Sequence, residues 1–332
     1  MSMQKIFLFC TERSGSNLLT KLMNAHTQIC GPSTKHLLNP TFRNLHRYEP
    51  LNEKKNWLQF LDDLLNLYNV DFASWNSSLT RDELIGAINC GAIDHLFHYI
   101  FDKETKSANK KICFIKEIKL YEIVPHINFF IPNAKFVYMV RDPRDMALSW
   151  KKSLIHKGGV VEAAKQWKID QQQYLKFFHL ENKKQTIKLL RYEDLLSNPK
   201  EELSRIFSFL NLNYEPVQES FYKDLKTKEN SKKNDAWKNI SKGLLHGNKE
   251  KYKSELSAGE ISIVQHICFD EMNFFNYPIE NTKFDLKKIN HNFIKNKGLQ
   301  EVKDLPYSPP DGVLDNMKAK KVFYQKVIYD KK

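Results

Sequence analysis

The feature that most constrains this chain is a short apolar run that gives way at once to a polar loop and then to a helical pattern. Ile6-Phe7-Leu8-Phe9 is flanked by polar residues, the pattern of a strand buried on both faces of a parallel sheet. Thr11-Glu12-Arg13-Ser14-Gly15-Ser16-Asn17 follows, and Leu18, Leu19, Leu22 and Met23 then recur at helical spacing. The same alternation continues downstream, with strands expected at Lys111–Ile118, Lys135–Val140 and Thr186–Leu190. Asp142 can cap a helix that has Pro143 at its first position. Asn198-Pro199 opens another, whose Leu203, Ile206, Phe207 and Leu210 form one stripe. Strands alternating with helices predict an α/β fold, a parallel central sheet flanked by helices. Residues 43 to 105 read as helices only.

Composition removes several classes. The longest apolar runs are about five residues, where a membrane helix needs roughly twenty. The chain passes almost directly into the first strand without the apolar stretch of a secretory leader. Five cysteines at wide spacing, with no CxxC pair, argue against a disulfide framework or a zinc site. Reduced thiols in a cytoplasmic protein are expected. The net charge of +13 is concentrated in two late segments, 223–253 and 283–332, each carrying +6. Lysine-rich segments of this kind suit solvated faces, a nucleic-acid binder, or a loop that closes over an anionic ligand.

In an open parallel sheet, ligands bind beyond the carboxyl ends of the strands. The loop 11–17 sits at such an end and opens a helix, so its backbone N–H groups form an anion nest. Arg13 adds fixed charge, Ser14, Ser16 and Asn17 add donors, and Gly15 lets the backbone approach an oxyanion closely. It is not a Walker A loop: the GxxxxGK pattern followed by Ser or Thr is absent, which disfavours a nucleotide-dependent kinase. A second anion site is expected at Arg141-Asp142-Pro143-Arg144-Asp145 with Ser149. Here Arg141 ends a strand and Ser149 lies two turns into the next helix. Arg144 and Asp145 read as a surface pair neutralising each other.

The combination resembles the sulfotransferases that use 3′-phosphoadenosine 5′-phosphosulfate (PAPS), of the bacterial, carbohydrate and tyrosyl-protein type. Thr-Glu-Arg-Ser-Gly-Ser-Asn (11–17) resembles their 5′-phosphosulfate loop, written PxRSGST or PKSGTT. Phe136 to Asp145 with Ser149 resembles their 3′-phosphate strand–turn–helix. Leu190-Arg191-Tyr192-Glu193-Asp194 to Pro199 resembles the block in which a tyrosine contacts adenine. The three occur in family order, and the likeness spans about residues 5 to 275. It implies a P-loop-NTPase-like sulfotransferase fold over 1–282, with a helical insertion at 43–110 on the acceptor side and a basic C-terminal extension at 283–332. It implies PAPS as co-substrate, a hydroxyl-bearing acceptor, and neither a metal nor a nucleic-acid partner.

Carried over residue by residue, Arg13, Ser14, Gly15, Ser16 and Asn17 fall on the 5′ loop. Arg141 and Ser149 fall on the 3′-phosphate pair, Tyr192 on the adenine side, and Lys116 on a strand lysine near the transferred group. A basic loop folds over the 3′-phosphate in the family, and the segment 237–252 supplies Lys242 and Lys249 for it here. Three departures concern the rest. The histidine that aryl sulfotransferases carry two residues after the strand lysine is Ile118 here, their adenine-stacking tryptophan is Leu18, and 31–36 lacks the glutamate of the carbohydrate type. The general base therefore falls to His36 or to Glu117. His36 is preferred, because a strand neighbour of Lys116 should point to the opposite sheet face. His26 is expected to pack or cap at the end of the first helix. His246 lies in the basic loop. The competing readings are a kinase on a related sheet and a nucleic-acid-binding module using the two basic segments.

Overall fold

The computed structural model describes residues 3–233, 237–285, 287 and 289–329, with side chains to 324. Five strands form one parallel sheet: β1 (Gln4–Cys10), β2 (Ile29–Cys30), β3 (Ile112–Lys116), β4 (Lys135–Val140) and β5 (Ile187–Arg191). Their spatial order is β2-β3-β1-β4-β5, so β1 sits at the centre and helices cross over between neighbours. Register pairs Leu8 with Lys116 and Cys10 with Met139, which brings the ends of β1, β3 and β4 together.

Side chains alternate across the sheet as a period of two requires. Phe7, Phe9, Ile115, Phe136 and Tyr138 enter one core. Ile6, Leu8, Cys10, Phe114 and Met139 enter the other, under the helix Ser16–Ala25. Both faces are covered, which explains why the strands are almost continuously apolar.

A helix not expected from the sequence, Val160–Lys183, braces the strand ends. Its Trp167 indole donates to the Arg141 carbonyl at 2.9 Å. Gln171 donates to Thr11 Oγ1 at 2.8 Å, and Tyr174 O–H donates to the Cys10 carbonyl at 3.2 Å. Backbone groups that loops would otherwise leave unpaired are thereby satisfied, and the loop after β1 is held from below.

The basic C-terminal extension packs against the rest of the chain. The helix His291–Asp304 packs on Val160–Lys183, and the helix Asp311–Tyr329 packs on Lys54–Asn69 and Leu38–Phe42. Phe323 is fully buried there, beside Tyr48. No described helix is long and apolar enough to cross a membrane.

Candidate functional site

The loop between β1 and the helix Ser16–Ala25 is set by two residues in the left-handed region, Arg13 (φ 64°) and Gly15 (φ 89°). A Cβ built on Gly15 would lie 2.3 Å from Tyr192 Cε2, so only glycine fits against that ring. No side chain caps this helix, which leaves its first N–H groups directed into the loop.

Arg141, at the end of β4, ties the site together. Its guanidinium donates to the Arg13 carbonyl at 3.0 Å and to the Asn248 carbonyl at 3.1 Å, and lies 4.5 Å from the Tyr192 ring. Arg13 Nε donates to Ser149 Oγ at 3.0 Å, and Asn248 donates to the Tyr192 hydroxyl oxygen at 2.8 Å. Arg13, Ser16, Asn17, Arg141, Ser149 and Tyr192 thus share the wall of one cavity of about 340 Å³, a size suited to a nucleotide. Two nearby donors, Arg141 Nε on its wall and Ser14 Oγ in the loop behind it, are buried without a hydrogen-bond partner among the described residues. Buried donors left unpaired cost free energy, and an oxyanion seated in the loop is the group that would satisfy them.

The rest of the second motif is structural. Asp142 caps the helix Pro143–Lys151, accepting from the Arg144 N–H at 2.9 Å. Arg144 is fully buried and pairs with Asp142, not with Asp145 as expected. Asp145 instead accepts from the N–H groups of Glu250 (2.6 Å) and Tyr252 (3.0 Å), anchoring the basic loop. Burial forbids the expected surface pair: Arg144 can be desolvated only with a tightly bonded partner. Of the loop lysines, Lys238 and Lys251 line the cavity, whereas Lys249 bonds Ser197 Oγ and Lys242 is not on the cavity wall.

On the other side of the phosphate loop the structure joins the two candidate bases. His36 Nδ1–H donates to Glu117 Oε1 at 2.6 Å, and Glu117 also accepts from the N–H groups of Leu38 (3.2 Å) and Ile118 (3.1 Å). Glu117 meets the segment of Leu37 and Leu38, which packs with Ile115 in the core on the far side of the sheet from the first helix. His36 itself is held at φ 56°, a conformation that costs a non-glycine residue about 1–2 kcal/mol and persists only where surroundings impose it.

Burial lowers the His36 imidazole below the ordinary histidine range, against Glu117, which raises it. Burial pushes Glu117 up, but His36, the Ile118 N–H and Lys116 outweigh it and keep it ionised. The result is a neutral imidazole with its Nδ1 proton fixed on a carboxylate and Nε2 left as the basic atom. Lys116, half-buried, lies close enough to influence both groups.

Three nearby residues carried no sequence signal. Glu12, in the phosphate loop, lies 3.7 Å from His156 Nε2. His156 is buried against Trp150 and bonded to Ser153 Oγ at 2.8 Å. Lys320 reaches this region from the C-terminal helix. His26 packs at the end of the first helix, accepting from the Gln28 N–H at 3.0 Å, and His246 lies 2.9 Å from the Leu196 carbonyl. Burial raises the Cys10 thiol to about 11, and among the described residues no His, Cys, Asp and Glu cluster could hold a metal ion.

Comparison with known proteins gives the family and the fold. A model of the sulfotransferase family matches residues 5–216. A Caenorhabditis briggsae protein, provisionally named a protein-tyrosine sulfotransferase, is 26% identical over 215 residues, 64% of this chain and 66% of that protein. The match therefore spans just under two thirds of that relative's length. Among solved structures, the sulfotransferase domain of the Synechococcus PCC 7002 olefin synthase superposes with a TM-score of 0.56 at 16% identity, covering 83% of this chain and 95% of that one. The sulfotransferase domain of the curacin biosynthetic pathway gives 0.55 at 19% identity, covering 84% and 99%. These two share the fold. The family match establishes that the chain belongs to the sulfotransferase family.

Proposed function

We propose that this sulfotransferase moves the sulfuryl group of PAPS to an acceptor hydroxyl on a carbohydrate, lipid or small molecule. The observation that carries the reading is the convergence of Arg13, Arg141, Ser149 and Tyr192, from three distant segments, on one cavity whose buried donors lack partners. The loop N–H groups with Arg13, Ser14, Gly15, Ser16 and Asn17 suit the 5′-phosphosulfate. Arg141 and Ser149 suit the 3′-phosphate, and Tyr192 the adenine. Lys238 and Lys251 are better placed than Lys242 or Lys249 to supply the basic loop's charge.

The chemistry is an in-line displacement at sulfur. An O–S bond forms to the acceptor oxygen as the bond from sulfur to the 5′-phosphate oxygen breaks, and the phosphate leaves with that electron pair. The acceptor's proton passes to His36 Nε2, and Glu117 stabilises the resulting imidazolium. Arg13 and Lys116 offset the charge that grows on the leaving phosphate. Positioning and fixed charge do most of this work, as in phosphoryl transfer. Lys35, beside His36, is turned away and donates to the Tyr68 carbonyl at 2.7 Å.

A nucleic-acid module is disfavoured, because Trp237 and Tyr252, the aromatics among the loop lysines, are buried and cannot stack on bases. The provisional name of the Caenorhabditis relative makes a tyrosyl hydroxyl one acceptor to assay. Calorimetric titration with 3′-phosphoadenosine 5′-phosphate (PAP), ATP and duplex DNA tests the reading. PAP should bind tightest, and a preference for ATP or DNA would sink it.

A further inference from the structure

The C-terminal helix Asp311–Tyr329 lies across the segment that carries His36. Asn316 Nδ2 donates to the Lys35 carbonyl at 3.3 Å, and Tyr324 O–H donates to Asn39 Oδ1 at 3.5 Å. The Tyr324 ring also lies 5.9 Å from the Arg43 guanidinium. These two contacts stand eight residues apart, and Lys320 is midway, on the same helical face. Its side chain therefore meets the stretch between Lys35 and Asn39, where His36 sits.

Lys320 is half-buried, and its ammonium makes no hydrogen bond or ion pair with the described residues. The charged groups around His36 are then Glu117 and Lys116 from the end of β3, Glu12 from the phosphate loop and Lys320 from the C-terminal helix. The neighbouring Lys35 is committed to Tyr68, and Phe72 supplies an uncharged ring at 5.5 Å.

We propose that Lys320 is a positioning residue of the reaction centre: the C-terminal helix presents its ammonium to the His36–Glu117 pair and tunes that pair for accepting the acceptor's proton. Glu117 alone would favour the imidazolium, which cannot take up a proton. A cation on the other side opposes this and leaves Nε2 free. The environment is consistent with that role. Burial pulls the Lys320 ammonium below the ordinary lysine range, with Lys116 adding to it against Glu117 and Glu12. The assignment makes the last helix part of the active site, and it rests on His36 being the base.

The test is an NMR titration of the His36 side chain in the full chain, wild type against Lys320→Met, Lys320→Gln and Lys320→Arg. Lys318→Met serves as a control, since Lys318 is largely exposed on the same helix and pairs with Asp315. The His36 midpoint should move to higher pH in the Met and Gln variants and stay in place for Arg and for Lys318→Met. The acid limb of the turnover profile should move with it. A midpoint unmoved in the neutral variants, or moved as far by arginine, overturns the proposal. So does unfolding of both neutral variants, which would make the lysine a packing residue. An active His36→Ala enzyme would instead remove the base assignment, an outcome read independently of the titration.

Discussion

The two sides of the phosphate loop are built in opposite ways. The side of Arg141 and Tyr192 is an open cavity of about 340 Å³ with mixed polar and apolar walls, taken from segments that each carry a recognisable local pattern. The side of His36 and Glu117 is closed. His36 and Glu117 are 7% and 2% exposed, and the void beside them is only about 10 Å³, walled by Trp75, Phe101 and Ile115. A nucleotide with two separate anionic groups can be held by a few fixed donors in a wet cleft, because each contact is charge-assisted. Proton transfer instead needs a desolvated pair, and desolvation comes from packing rather than from motifs.

The sharpest way to break the comparison is His36→Ala. Turnover should fall by about 10²-fold or more while PAP affinity stays within about twofold. Glu117→Gln should cost a comparable factor, because the amide cannot stabilise the imidazolium. Full activity in either variant would remove the pair from catalysis. The wild-type rate should fall as pH drops through the His36 midpoint, since protonation removes the base. Because burial depresses that midpoint, the fall should begin below the ordinary histidine range.

Next in size is Arg141→Ala, which should weaken PAP binding by about 2–3 kcal/mol, roughly 30- to 150-fold. Adenosine 5′-phosphosulfate, which lacks the 3′-phosphate, should be nearly indifferent to the change. Equal losses for the two ligands would relocate the 3′-phosphate.

Gly15→Ala probes the same cavity through the backbone. The new Cβ meets the Tyr192 ring, and a left-handed alanine adds about 1–2 kcal/mol of strain. PAP affinity should drop about tenfold with a lower melting temperature, and an unchanged titration would show that the loop can relax around a side chain. The smallest effect belongs to Lys251→Met. An exposed lysine on the cavity rim should change PAP affinity only about two- to fivefold, and less in high salt. A loss as large as that of Arg141→Ala would make Lys251 a direct clamp.

The sheet, and the meeting of Arg13, Arg141, Ser149 and Tyr192 at one cavity, are legible because local patterns specify them. Alternating strands and helices, the Asp142-Pro143 helix start, and the positions of Arg13, Arg141, Ser149 and Tyr192 all follow from residues close in sequence. The misplaced residues show where that stops. Glu117 is the partner of His36 and not its rival, a pairing that strand periodicity cannot reveal because it says nothing of what packs on the far face. Arg144 was given the wrong partner because a charge pattern does not say which carboxylate is buried with it. Val160–Lys183 was not foreseen as the brace under the phosphate loop, since its role lies in bonds to Thr11 and Arg141 far along the chain.

By itself, then, the sequence determined the parallel α/β sheet and the glycine-bearing loop between its first strand and helix, because strand period, helix capping and turn chemistry act over a few residues. Only the tertiary structure decided the His36–Glu117 contact, the lysines that face the cavity and the place of the C-terminal helix. His36 meets Glu117 across 81 residues, and Asn316 meets Lys35 across 281. No local rule of chain geometry spans such separations, so those contacts exist only once the two cores have packed.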